Sequence, residues 1–83
     1  TGKPIEIYPN PTRERLYISL GDTFGDVQLN LHRLDGQLVQ QELLRTTQSR
    51  DVVLDLTQEM PGVYFIQFIS EQNGVLTKRI VIQ

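Results

Sequence analysis

The sequence predicts an all-β domain built as a seven-stranded antiparallel β-sandwich of Ig-like architecture. Apolar residues recur with period two along short runs, and a helical period is almost absent. Gly, Pro, Asn and Asp interrupt those runs about every eight to twelve residues. The Cys and Trp of true immunoglobulin domains are missing, so the analogy covers architecture only.

Ile5, Ile7 and Tyr8 form a short first strand, closed by Pro9-Asn10-Pro11, which cannot continue a ladder. Leu16, Ile18 and Leu20 alternate with Arg15, Tyr17 and Ser19 in a second, and Gly21 to Asp26 is a loop. Val27, Leu29 and Leu31 alternate with Gln28, Asn30 and His32, which gives the cleanest half-buried strand. Asp35-Gly36 is a hairpin signal, because both positions tolerate positive φ. The blurred pattern from Gln37 to Leu44 suits an edge strand or a bulge. Arg45 to Arg50 is a polar turn, after which Val52, Leu54 and Leu56 alternate with Asp51, Val53 and Asp55. Thr57 to Met60 has the length of one helical turn before Pro61-Gly62. The sixth strand runs from Val63 to Ser70, Glu71 to Gly74 turns, and the seventh runs from Val75 to Ile82. The chain thus closes on a hairpin whose second strand is expected to be a core strand, committing the end of the chain to the fold.

Residues 1–83 are expected to make one domain of modest stability. Burying about a dozen Val, Leu, Ile and Phe side chains, at ~1.5–3 kcal/mol each, offsets chain entropy without a staple. None is available from thiols, because the sequence holds no cysteine, and this also excludes a thiolate metal site. The net charge is −2, and no basic stripe exists to neutralise phosphates, so nucleic acid is not expected as a partner. No apolar run approaches the ~20 residues of a membrane span. The chain begins at Thr1 without a methionine or signal peptide, as expected of a segment of a longer protein.

Little here suits catalysis, and neither a cofactor nor a metal is expected. His32 stands on the polar face of its strand, where a histidine is ordinarily solvated. Ser19, Ser49 and Ser70 are scattered, and none lies in a nucleophile elbow. Asp51 and Asp55 share a strand face about 13 Å apart, beyond the ~5–9.5 Å of glycosidase pairs. Asp22 and Asp26 share a loop, but a calcium site needs about six or more oxygens, so a polar turn is the simpler reading.

Three stretches carry a resemblance. Tyr8-Pro9-Asn10-Pro11-Thr12, then Leu54-Asp55-Leu56 with Pro61-Gly62-Val63-Tyr64-Phe65-Ile66, and finally Gly74 through Ile82 stand in the order and spacing of a known family. Together they resemble the C-terminal sorting domain of the type IX secretion system of Bacteroidetes, across essentially the whole chain. The resemblance implies a signal without activity of its own. It directs an N-terminal cargo in the same polypeptide through the periplasm and an outer-membrane translocon. An outer-membrane shuttle protein binds it, and a sortase-like cysteine protease commonly removes it, joining the cargo to an anionic lipopolysaccharide. The protein is then secreted or held at the cell surface, and cleavage is expected in the linker at or before Thr1-Gly2-Lys3. Family members often close on a lysine, whereas Gln83 follows Ile82 here.

The motif residues are Tyr8, Pro9, Asn10, Pro11, Pro61, Gly62, Tyr64 and Gly74. Pro9 and Pro11 stop the first strand and fix the entry of the upstream linker. Gly62 supplies a tight turn that lets Tyr64 swing inward, its hydroxyl reaching a partner at the core boundary. Gly74 permits the last hairpin. Lys78, Arg79, Ile80, Val81, Ile82 and Gln83 form the expected recognition segment, read by strand addition, with Lys78 and Arg79 giving orientation and on-rate. Lys78-Arg79 also reads as an edge guard, and a homodimer through an exposed edge strand is compatible with the pattern.

The rival reading is an accessory adhesion or carbohydrate-binding sandwich, which requires exposed aromatics. Most of the aromatics fall in strands, where core or inter-sheet packing accounts for Tyr8, Tyr64, Phe65 and Phe68. Tyr17 and Phe24 are left as the expected platform.

Overall fold

Alternation of apolar and polar residues requires each strand to turn one face inward, and two sheets packed face to face satisfy that requirement. The structure, a computed structural model, describes residues 5–21, 25–45, 51–71 and 74–83. Among them run seven strands: β1 (Glu6–Tyr8), β2 (Arg15–Ser19), β3 (Val27–Arg33), β4 (Leu38–Leu44), β5 (Asp51–Asp55), β6 (Gly62–Ser70) and β7 (Gly74–Ile82). One sheet has the order β1-β2-β5 and the other β4-β3-β6-β7, with every pair antiparallel.

The core lies between the sheets. Leu16, Ile18 and Leu54 face it from the small sheet; Val27, Leu29, Leu31, Tyr64, Ile66, Phe68, Ile80 and Ile82 face it from the large one. Leu20, Leu44 and Leu56 close its ends, and Ile5, Ile7, Val39 and Val52 pack at its margin.

β3 and β6 are each paired on both sides. β4 lies at a sheet edge and its register against β3 shifts at Leu31/His32, so the blurred pattern reflects both an edge and a bulge. The hairpin between β3 and β4 closes by Gly36 N–H to Arg33 C=O, with Gly36 at φ +93°. Residues 57–60 form a turn, not a helical turn. Glu59 N–H donates to Leu56 C=O, and the Asp55 carboxylate accepts from both the amide and the hydroxyl of Thr57, a local alternative to helix. Asp22, Phe24 and most of the 45–50 turn lie outside the described residues.

Two expectations need correction. The expected core strand β7 is core only in part: it lies at the sheet edge, its first four residues are exposed, and Ile80 and Ile82 alone are buried. Tyr8 is not a core residue. It shares an outer row with Tyr17 and Val53, and the two tyrosine rings stack at 5.7 Å with 53% and 39% of their surface exposed. The causes differ: the first half of β7 lacks cover at the sheet edge, whereas Tyr8 stands on the outer face of its sheet, turned away from the core that Ile7 packs against.

Candidate functional site

The geometry of the last hairpin follows from register. β6 and β7 pair through nine positions, from Gly62↔Ile82 to Ser70↔Gly74, and Gly74 at φ +74° makes the turn. Lys78 stands opposite Ile66, and Ile66 is fully buried, so Lys78 is on the inward side of the edge strand. Arg79 stands opposite Phe65 on the outer side, in a row with His32 and Leu38. The two cations therefore leave the strand on opposite faces. They do not form one basic patch.

Along the same edge lies the Pro-Asn-Pro segment. Two prolines deny it a continuous ladder, and the side chain of Asn10 does the pairing instead. Asn10 Nδ2 donates to the Arg79 carbonyl at 3.1 Å, and its Oδ1 accepts from the Val81 amide at 3.2 Å. Thr12 continues the line: its amide donates to Val81 C=O at 2.9 Å, and its carbonyl accepts from Gln83 N–H at 2.7 Å. A parallel bridge joins Thr12 to Ile82, and the Thr12 hydroxyl donates to the Arg15 carbonyl. Asn10 and Thr12 thus cover the edge of β7 from Arg79 to its end. The Tyr8-Pro9 and Asn10-Pro11 peptide bonds are both cis. Asn10 was legible as part of a turn motif, but its contact with a strand about seventy residues away carries no local signal. Its one hint is an amide placed between two residues that cannot pair.

Ahead of Asn10 the sheets part. Ile5, Glu6, Ile7 and Tyr8 of the small sheet face Lys78 and Arg79 of the large one across an open groove of about 840 Å³. No described residue pairs with the outer edge of Val75 or Thr77. The opposite flank is closed: Gln40 Nε2 donates to the Asp55 carbonyl at 3.0 Å and to Glu59 Oε2 at 3.1 Å.

The other motif residues are structural in placement. Tyr64 is buried and its hydroxyl donates to the Met60 carbonyl at 2.7 Å, the tyrosine-corner arrangement of Ig-like sandwiches. Gly62 opens β6 at φ +152°, next to Pro61. Ile80 and Ile82 are core, Val81 is half-buried on the outer face, and Gln83 is exposed beyond the strand.

Residues considered for chemistry stay apart. His32 is half-buried on the outer sheet face beside Phe65. Asp26 lies 3.7 Å from Arg45. Asp51 and Asp55 face outward opposite Ser19 and Arg15. Donation from the Thr57 hydroxyl, then from its amide, holds the Asp55 carboxyl below the ordinary carboxylate value, with a smaller pull from Arg15.

Fold and surface define a small Ig-like sandwich module whose last strand is an edge, half covered and half open. A family model described as the secretion system C-terminal sorting domain matches residues 6–83. The chain belongs to that family, the sorting domains of type IX secretion, whose members are secreted through the outer membrane or attached at the cell surface. No curated protein matches the sequence. Among solved structures, a DUF3244 family protein with an immunoglobulin-like β-sandwich fold from Bacteroides vulgatus superposes with a TM-score of 0.83 at 15% identity, covering 100% of this chain and 92% of that one. Two superoxide reductases (neelaredoxins) from Ignicoccus hospitalis are also similar. Their TM-scores are 0.66 and 0.60 at 12% and 15% identity, and the matches cover 99% and 100% of this chain and 80% and 79% of theirs. At such identities the likeness is one of fold.

Proposed function

We propose that the chain is a non-enzymatic signal that carries an N-terminal cargo across the outer membrane, read as a folded shape through its last hairpin. The supporting observation is the family match over residues 6–83. An outer-membrane shuttle protein docks on the β6–β7 hairpin and presents the cargo to the translocon. Arg79, exposed on the outer face, and Lys78, inward at the edge, steer that encounter separately, and Ile80 and Ile82 hold the strand in place. A sortase-like cysteine protease then cuts in the linker at or before residues 1–3 and joins the cargo to surface lipopolysaccharide. Gln83 takes no charged role in this reading, since the folded strand is what is recognised.

The test fuses residues 1–83 to a fluorescent periplasmic reporter in a host carrying the machinery. Export of the intact fusion, lost on removing Leu76 to Gln83 and reduced by Arg79→Glu in a folded domain, is the expected result. Reporter that stays inside the cell, or export indifferent to both changes, defeats the reading.

A second reading has one observation in its favour. The stacked, exposed Tyr8–Tyr17 pair, in a row with exposed Val53, is the aromatic surface that a carbohydrate-binding module requires. A glycan array probed with the native domain and with Tyr17→Ala decides it: signal lost in the variant supports this reading, and an empty array removes it.

A further inference from the structure

We propose that the uncovered part of the β7 edge, Val75 to Arg79, takes an extended peptide as an added strand, and that Lys78 admits only a peptide carrying a carboxylate at the facing position. The inference rests on the sorting reading for its biological setting, though the binding itself does not depend on it.

In an antiparallel ladder, alternate residues turn both N–H and C=O away from a given neighbour. Val81 bonds outward, to Asn10 and Thr12, so Val75 and Thr77 present their backbone groups to the same side, and Arg79 presents its N–H. Among the described residues, none of those groups is taken up by a further strand. Asn10 already holds the Arg79 carbonyl, which sets where an incoming strand must stop. At its Arg79 end this edge borders the groove lined by Ile5, Ile7 and Lys78, so an added strand would bury side chains on one face there and leave them wet on the other.

Lys78 decides what fits. It lies on the inward side, in the row Leu31–Ile66–Lys78, and it is half-buried. An apolar strand laid over it would strip water from an ammonium group without replacement, which disfavours generic edge pairing. A carboxylate facing it restores the lost partner, so the charge that repels one class of strand selects another. Among the described residues that line the groove, Glu6 is the only anion, against two cations. A second copy of this chain is a poor occupant. Antiparallel pairing of two β7 edges about Thr77 would set the two Lys78 side chains at diagonal positions of one face, where like charges repel.

The experiment uses two end-blocked eight-residue peptides of alternating Val and Thr, differing only in a central Glu or Lys. Affinity is read by fluorescence anisotropy, and the contact by hydrogen exchange at single amides. The Glu peptide should bind at least about tenfold more tightly than the Lys peptide, more weakly in high salt, and should protect the Thr77 and Arg79 amides. Lys78→Glu should reverse the preference, and its melting curve confirms that it remains folded. No binding by the Glu peptide, equal binding of both, or protection elsewhere overturns the proposal. So does sedimentation showing that the edge is filled by a second copy. Export of the reporter fusion by a host is a separate readout, so a peptide that fails to bind leaves the sorting reading standing, and a fusion that fails to leave the cell does not touch the peptide result.

Discussion

Asn10 acts where a backbone would ordinarily act. Its amide has one donor end and one acceptor end, and both reach β7, at Arg79 C=O and Val81 N–H. Neither aspartate nor leucine of similar size makes both bonds. Asn10→Ala should cost about 1 kcal/mol, the net worth of exposed hydrogen bonds of this kind, and should speed amide exchange at Val81 more than at core amides of β3. Exchange at Val81 that does not change would show the clip to be idle. Asp55 makes a second residue-scale prediction. Its carboxyl is held below the ordinary value by Thr57, so the contribution is present above the unfolded-state value of about 3.9 and is lost as pH falls through the lower folded-state value. Asp55→Ala should therefore melt below the native protein at pH 6, and the gap should narrow by pH 2.5. A gap of constant size across that range would assign the effect to packing.

At the level of elements, the strands divide by how many neighbours they have. β3, with partners on both sides, shows its inward residues plainly as Val27, Leu29 and Leu31, and these are the residues that the alternation singled out. β7 shows the same alternation, yet its first four residues are exposed on both faces because the small sheet covers only its second half. Alternation therefore placed Ile80 and Ile82 in the core correctly and sets Lys78 on their side of the strand, but it could not show that cover runs out before Thr77. Nor could it pair Tyr8 with Tyr17, since strand adjacency is set by the path of the whole chain and not by either strand. The exposed start of β7 and its buried end predict different responses to truncation of a side chain. Ile80→Ala should cost about 2–5 kcal/mol, a large part of what a domain of this size has, and urea melts should show it as a lower midpoint. Val75→Ala should stay within about 0.5 kcal/mol. Equal effects at the two sites would mean that β7 does not hold its observed register.

For the molecule as a whole, the two flanks of the sandwich are closed by different means, and this ties the start of the domain to its end. On one flank the side-chain amide of Gln40 joins β4 to the Asp55 carbonyl at the end of β5 and to the Glu59 carboxylate in the β5–β6 connection. On the other, residues 10–12 pair with the last strand through a side chain and a backbone, while β1 just ahead of them pairs with β2 in the opposite sheet. One continuous stretch of about eight residues thus touches both sheets, and it leads directly from the side where the proposed cargo joins. Removing it strips an edge from each sheet at once, so a chain beginning at Arg13 should lose more than the sum of its deleted bonds, because Thr12, 2% exposed, also seals the end of the core. The expected result is fast amide exchange at Val81 and Gln83 together with loosened amides in β2, while Leu29 and Leu31 between β4 and β6 keep more of their protection. A cut ahead of Ile5, where the proposed protease acts, leaves the stretch whole, and such a product should melt as the full chain does. If the chain beginning at Arg13 also melts unchanged, residues 10–12 lie on the last strand without holding it, and the hairpin stands without their help.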